Sequence, residues 1–132
     1  MCIRDRLRPS AEYSSVVYDS LIPEYVSDKL ESVQRQAMKI IYGWDINYQK
    51  LVEDGVIEHL KDRRREAVLR FALKAVQSER FGPSWFKLNP ETDINLRPGT
   101  RNRYLERRCR TERGRNNPIN VMTRLLNEHE NT

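Results

Sequence analysis

Residues 27–43 read SDKLESVQRQAMKIIYG, and the fold class turns on this stretch. Ser27 is a residue type that accepts a hydrogen bond from a free amide at a helix start. Asp28 and Glu31 put negative charge in the first turn, where the aligned peptide dipoles favour it. Leu30, Val33, Ala37, Ile40 and Ile41 recur at helical spacing, and Lys29, Ser32, Arg35, Gln36 and Lys39 take the other side. Gly43 follows the last periodic residue, where a helix end favours a residue without a Cβ. The spacing predicts a helix over 27–42 with Leu30, Val33 and Ile40 in a core.

Working outward, residues 12–20 read as a short helix closed by Pro23, because proline ends a helix it cannot hydrogen-bond into. Asn47 caps a short helix through Leu51 and Val52 that stops at Gly55. A longer helix is predicted over 58–79, ending before Gly82-Pro83. Leu60, Ala67, Val68, Phe71, Ala72, Ala75 and Val76 form its apolar stripe, with Phe71 and Val76 expected in the core. Arg64 falls on that stripe and reads as structural: it snorkels past the edge or pairs with a carboxylate such as Asp62 or Glu66. Trp85 and Phe86 read as a hydrophobic lid on the two main helices. Pro90, Pro98 and Gly99 mark an irregular connector. Asn117 caps, and Pro118 opens, a short helix whose Ile119, Met122, Leu125 and Leu126 share a face.

The expected architecture is all-α. It is a small antiparallel helical domain, its main helices joined through a short helix near 47–54, with a basic irregular segment and a short C-terminal helix. The segments are a helical body over 7–88, an Arg-rich connector over 89–116 and a C-terminal helix over 117–128. Residues 1–6, Met1-Cys2-Ile3-Arg4-Asp5-Arg6, read as a translated transposase adapter of the kind used to build sequencing libraries. On that reading Cys2 carries no functional weight.

The chain has 132 residues, room for one compact domain. Only 38% are hydrophobic and 33% are charged, so the core is modest and long stretches are solvated. Lys and Arg number 24 against 19 Asp and Glu, a net charge of +5. Nine Arg and two Glu lie between Arg97 and Arg124, a local +7, so the rest of the chain sums to −2. A basic segment on a near-neutral body is the footprint of polyanion binding. Two cysteines argue against a disulfide framework and for an intracellular setting, cytoplasmic or nuclear. No apolar run reaches the ~18–20 residues of a membrane span, so no membrane partner is expected.

Catalytic and metal signatures are missing from the string. His59, His129 and Cys109 sit at no zinc-site spacing. There is no phosphate-binding glycine loop, no nucleophile elbow and no metalloprotease helix motif. The expectation is a chain that is not itself an enzyme and holds no cofactor. The Arg strip is the one feature with a plausible activity. Arg101, Arg103, Arg107, Arg108, Arg110, Arg113 and Arg115 are candidate phosphate contacts, with Tyr104 placed to stack on a base. The expected partner is RNA or DNA, bound with little sequence preference. The alternative is a helical protein-interaction module with a basic docking strip.

Several strings, in order, carry a resemblance. They are Arg8-Pro9-Ser10-Ala11-Glu12-Tyr13, Leu30-Glu31-Ser32-Val33-Gln34-Arg35-Gln36-Ala37 running on to Gly43, Tyr48-Gln49-Lys50-Leu51, and Leu60-Lys61-Asp62-Arg63-Arg64. Leu96-Arg97, Arg110-Thr111-Glu112-Arg113, Asn117-Pro118-Ile119 and Leu126-Asn127 follow. Together they resemble the segment after the palm of reverse transcriptases from non-LTR retrotransposons, jockey-like elements in particular, over about residues 8–127. The sequence departs from the family pattern at Ser10-Ala11, at Tyr18 where Trp is common, and at Asn117 where Ser is usual. The resemblance implies an RNA-directed DNA polymerase as parent, with magnesium held by palm aspartates upstream. It implies for this chain a support role in holding template, primer or target, alongside the N-terminal part of the same polyprotein. No Tyr-x-Asp-Asp string occurs here, so no catalytic residue is carried over.

Overall fold

The computed structural model describes residues 12–89 and 103–131. Among them, all seven regular elements are helices: α1 (Ser15–Tyr18), α2 (Glu24–Tyr42), α3 (Tyr48–Glu53), α4 (Leu60–Gln77), α5 (Gly82–Trp85), α6 (Glu112–Arg115) and α7 (Pro118–Glu130). The fold is all-α, with one isolated antiparallel bridge between Leu88 and Tyr104. No described helix is long and apolar enough to cross a membrane. The expectations for residues 1–6, for most of the connector over 89–100, and for Arg97 and Arg101 lie outside the described residues.

The chain's punctuation residues act as their chemistry predicts. Asn47 Oδ1 accepts from the Gln49 amide at 3.0 Å and Asn117 Oδ1 from the Ile119 amide at 3.1 Å, each capping a helix start. Gly43 and Gly55 end α2 and α3 with φ of 104° and 71°, a region costly for residues with a Cβ. One start is corrected. α2 begins at Glu24, directly after Pro23, and Ser27 lies inside its first turn with no capping role.

The described residues form two compact units, and the break falls within α4, after Glu66. In the first, Met38, Tyr48, Leu51 and Ile57 form an apolar cluster with Ile46 and Val52 packed against it. Polar groups are buried beside it. Gln34 donates to the Tyr48 hydroxyl at 2.9 Å and to the Glu58 carbonyl at 3.0 Å. The Glu31 carboxylate accepts from the Tyr48 hydroxyl, pairs with His59 Nδ1 at 3.0 Å, and accepts from the Leu60 amide at 2.9 Å. It therefore caps α4 from a distance of 29 residues in sequence. Burial alone pushes this carboxyl up, but the three hydrogen bonds outweigh it and hold Glu31 below its ordinary range. Burial and the bond to Glu31 push the Tyr48 phenol up to about 12.

Arg64 is 1% exposed. Its Nε donates to Asp19 at 2.9 Å and its Nη2 to the Ser27 hydroxyl at 2.6 Å. The structural reading of Arg64 holds, but the carboxylate it meets is Asp19, not Asp62 or Glu66.

The buried faces of both long helices need correcting. On α2, Val33 is 49% and Ile40 76% exposed, while Gln34, Ala37 and Met38 are buried and Leu30 is half-buried. The face turns towards Gln34 because its amide has two partners inside the unit. On α4 the buried row is Leu60, Arg64, Val68, Ala72 and Ala75; Phe71 is 42% exposed and Val76 half-buried. Small alanines fill the buried row, and Phe71 sits at its edge.

The second unit buries Val68, Ala72, Ala75, Phe86, Tyr104, Met122, Leu125 and Leu126. Phe86 is thus core to this unit, and Trp85 is half-buried against Phe81 with ring centroids 4.8 Å apart. Gly82 allows a close approach: a Cβ there would meet the Val76 carbonyl oxygen at 2.5 Å. On α7, Met122, Leu125 and Leu126 share the buried face as predicted, with Ile119 half-buried.

Candidate nucleic-acid interface

Residues 103–115 run as an irregular strand-like segment into α6. A segment this polar has little apolar area to bury, so its order must come from hydrogen bonds. α7 supplies them through one row of side chains. Asn127 grips Tyr104 twice, accepting from its amide at 2.9 Å and donating to its carbonyl at 3.0 Å. One turn earlier, Arg124 Nε donates to Glu106 at 2.8 Å and its Nη2 to the Arg115 carbonyl. Asn120 then donates to the Gly114 carbonyl at 3.1 Å and the Arg107 carbonyl at 3.4 Å, and reaches Cys109 Sγ at 3.5 Å. Positions 120, 124 and 127 lie on one helix row. The strip is therefore laid out along α7, residue by residue.

Its turn is tight. Thr111 caps α6 by accepting from the Gly114 amide at 3.1 Å. A Cβ on Gly114 would come within 2.9 Å of Cys109 Cβ. Cys109 is a free, half-buried thiol that donates to the Arg107 carbonyl at 3.6 Å.

The predicted site residues divide into three groups. Arg101 lies outside the described residues. Three cations are already committed: Arg103 pairs with Glu130 at 2.8 Å, Arg115 with Glu112 at 3.0 Å, and Arg107 donates to the Ser84 carbonyl at 3.4 Å. Arg108, Arg110 and Arg113 are exposed and have no partner among the described residues. Among the described strip cations, these three and Arg107 have no described carboxylate against them.

Tyr104 is the correction. It is 5% exposed, its backbone is clamped by Asn127, and its ring meets Phe86 edge-on at 6.1 Å. The Arg103 guanidinium stands 5.7 Å from the ring centroid. A base has no access to it. The residues missed by sequence reasoning are Asn120, Arg124 and Asn127. Their signal was a polar row on a helix whose opposite side is apolar, which reads as a solvated face.

Among the described residues, no group of three or more His, Cys, Asp or Glu is gathered as metal ligands. The aspartates that would hold the magnesium implied by the resemblance have no matching positions in this chain. Compared with protein families, curated proteins and solved structures, the chain matches none.

Proposed function

We propose that this chain is a non-catalytic C-terminal part of an RNA-directed DNA polymerase from a non-LTR retrotransposon. In this reading it works inside the cell beside the palm-bearing part of the same polyprotein. Its Arg strip holds RNA or DNA by the phosphate backbone, without a cofactor. The observation that carries the binding role is the trio Arg108, Arg110 and Arg113, unpaired with any described residue on a backbone held in place by α7. Guanidinium forks of this kind match phosphate oxygens. The family part rests on the ordered sequence strings. An upstream open frame encoding a Tyr-x-Asp-Asp palm supports it; unrelated coding sequence there overturns it.

The binding role is tested by titrating labelled nucleic acid at several salt concentrations. Replacing Arg108, Arg110 and Arg113 together by Ala is expected to weaken binding on all sequences alike. If each meets one phosphate, the slope of log K against log salt flattens by about three units. Equal binding by the triple variant, with unchanged helicity, overturns the role.

A second reading is a helical protein-interaction module whose strip docks on an acidic partner. It draws on a different observation: Val33, Ile40, Ile41 and Trp44 are exposed on α2 and just beyond its end. Unchanged nucleic-acid binding in the triple variant moves that reading ahead.

A further inference from the structure

We infer that the strip selects paired over single-stranded nucleic acid, and does so by charge density alone. The inference rests on the nucleic-acid reading above and specifies its ligand. Proteins that prefer single strands combine a basic track with aromatic rings on which bases stack. This strip has the track without the rings. Residues 105–115 contain no aromatic side chain. Tyr104 is buried under the Asn127 clamp. The rings nearest the strip's bonding partners directly follow the Ser84 carbonyl that takes Arg107: Trp85 is half-buried and Phe86 is buried. Trp85 packs against Phe81 with ring centroids 4.8 Å apart and edge-on against Phe86 at 6.5 Å, and none of the three rings belongs to the 105–115 track.

What remains is electrostatic. Arg108, Arg110 and Arg113 project from a turn fixed by three Asn120 hydrogen bonds and by the closeness of Gly114 to Cys109. Without a stacking term, affinity follows the release of condensed counterions, about 0.9 per neutralised phosphate for a duplex and about 0.7 for a single strand. For three phosphates the salt slopes are about −2.7 and −2.1. If the two curves meet near 1 M salt, the duplex binds about four-fold tighter at 0.1 M.

The experiment is an anisotropy titration of the full chain with a short duplex DNA, each of its separated strands, and the RNA–DNA hybrid of the same sequence, over a range of salt. Duplex and hybrid are expected to bind alike and tighter than either strand, with the steeper slope. A variant with Arg108, Arg110 and Arg113 all changed to Lys is expected to keep the preference, because charge is kept. Strands binding as tightly as the duplex, with binding lost in the triple Ala variant, overturn the inference and leave the nucleic-acid role standing. So does loss of the preference in the Lys variant. No binding of any probe by the wild type, or equal binding by the triple Ala variant, overturns the nucleic-acid role itself.

Discussion

Arg64 in the first unit and Arg108 in the second are the same side chain in opposite circumstances. Arg64 is sealed from solvent, with Asp19 and Ser27 taking two of its nitrogens and Nη1 left without a partner among the described residues. Arg108 stands in solvent, and the backbone beneath it is held by neutral asparagine. The first unit hides charge and compensates it with side chains drawn from distant points of the sequence. The second keeps its charge outside and uses buried amides to shape the track. A buried guanidinium answers to the fold, while an exposed unpaired one is available to a ligand.

The largest effect that could break this contrast is at Arg64. Changing it to Ala strips Asp19 and Ser27 of their buried partner, and loss of one member of a buried pair costs about 3–5 kcal/mol. Asp19 retains some solvent access, which argues for the lower end. A denaturant titration of Arg64→Ala measures this directly. A loss under about 1 kcal/mol, the range of surface pairs, would put Arg64 with the strip arginines.

Glu31 sharpens the same point through pH. Its folded carboxyl lies below the ordinary value of 4.5, and unfolding returns it there. As pH falls, the unfolded chain takes the proton first. The contribution is full above about pH 4.5 and is lost as pH drops through the lower folded value. Glu31→Gln keeps an acceptor for the Leu60 amide but loses the charge, and is expected to cost about 1–2 kcal/mol at neutral pH. Melting temperatures of wild type and variant should converge as the pH is lowered from neutral to below about 4.5. A gap that stays constant over that range removes Glu31 from the acid-sensitive groups.

Phe71 tests the corrected face of α4. A fully buried Phe changed to Ala costs about 3–5 kcal/mol, but this ring is nearly half exposed. The expected loss in Phe71→Ala is about 1–2 kcal/mol. A loss in the full-burial range would mean that the ring is covered in solution.

The helix ends set by local chemistry were legible in the sequence, since Asn47, Asn117-Pro118, Gly43 and Gly55 act within a few residues of themselves; the start of α2 after Pro23 and the capping of α4 by the distant Glu31 were not. The inward face of α2 was not, because Gln34 is polar by type and apolar patterning turns it outward. Only its bonds to Tyr48 and Glu58, 14 and 24 residues away, bring it in. The strip's arginines were legible as a cluster. Which of them are free was not, since Glu130 and Glu112 neutralise Arg103 and Arg115, and the first of these partners lies 27 residues off. Tyr104 was misread for the same reason: its clamp, Asn127, sits on another element.

The smallest effect on stability is expected from the variant with the largest effect on binding. Arg108, Arg110 and Arg113 are exposed and bond to no described residue, so changing all three to Ala removes no bond to a described residue. Surface changes of this kind stay within about 0.5 kcal/mol each way. The sign should be neutral to slightly stabilising, because three like charges within six positions repel one another in the folded turn. Salt gives the matching control. Screening relieves that repulsion, so raising salt should help the wild type slightly more than the variant. Thermal melts of both proteins at low and high salt would show it. If the variant instead loses more than about 1 kcal/mol, beyond the usual surface range, these guanidiniums hold the fold as Arg64 does, and the division between hidden and offered arginines fails.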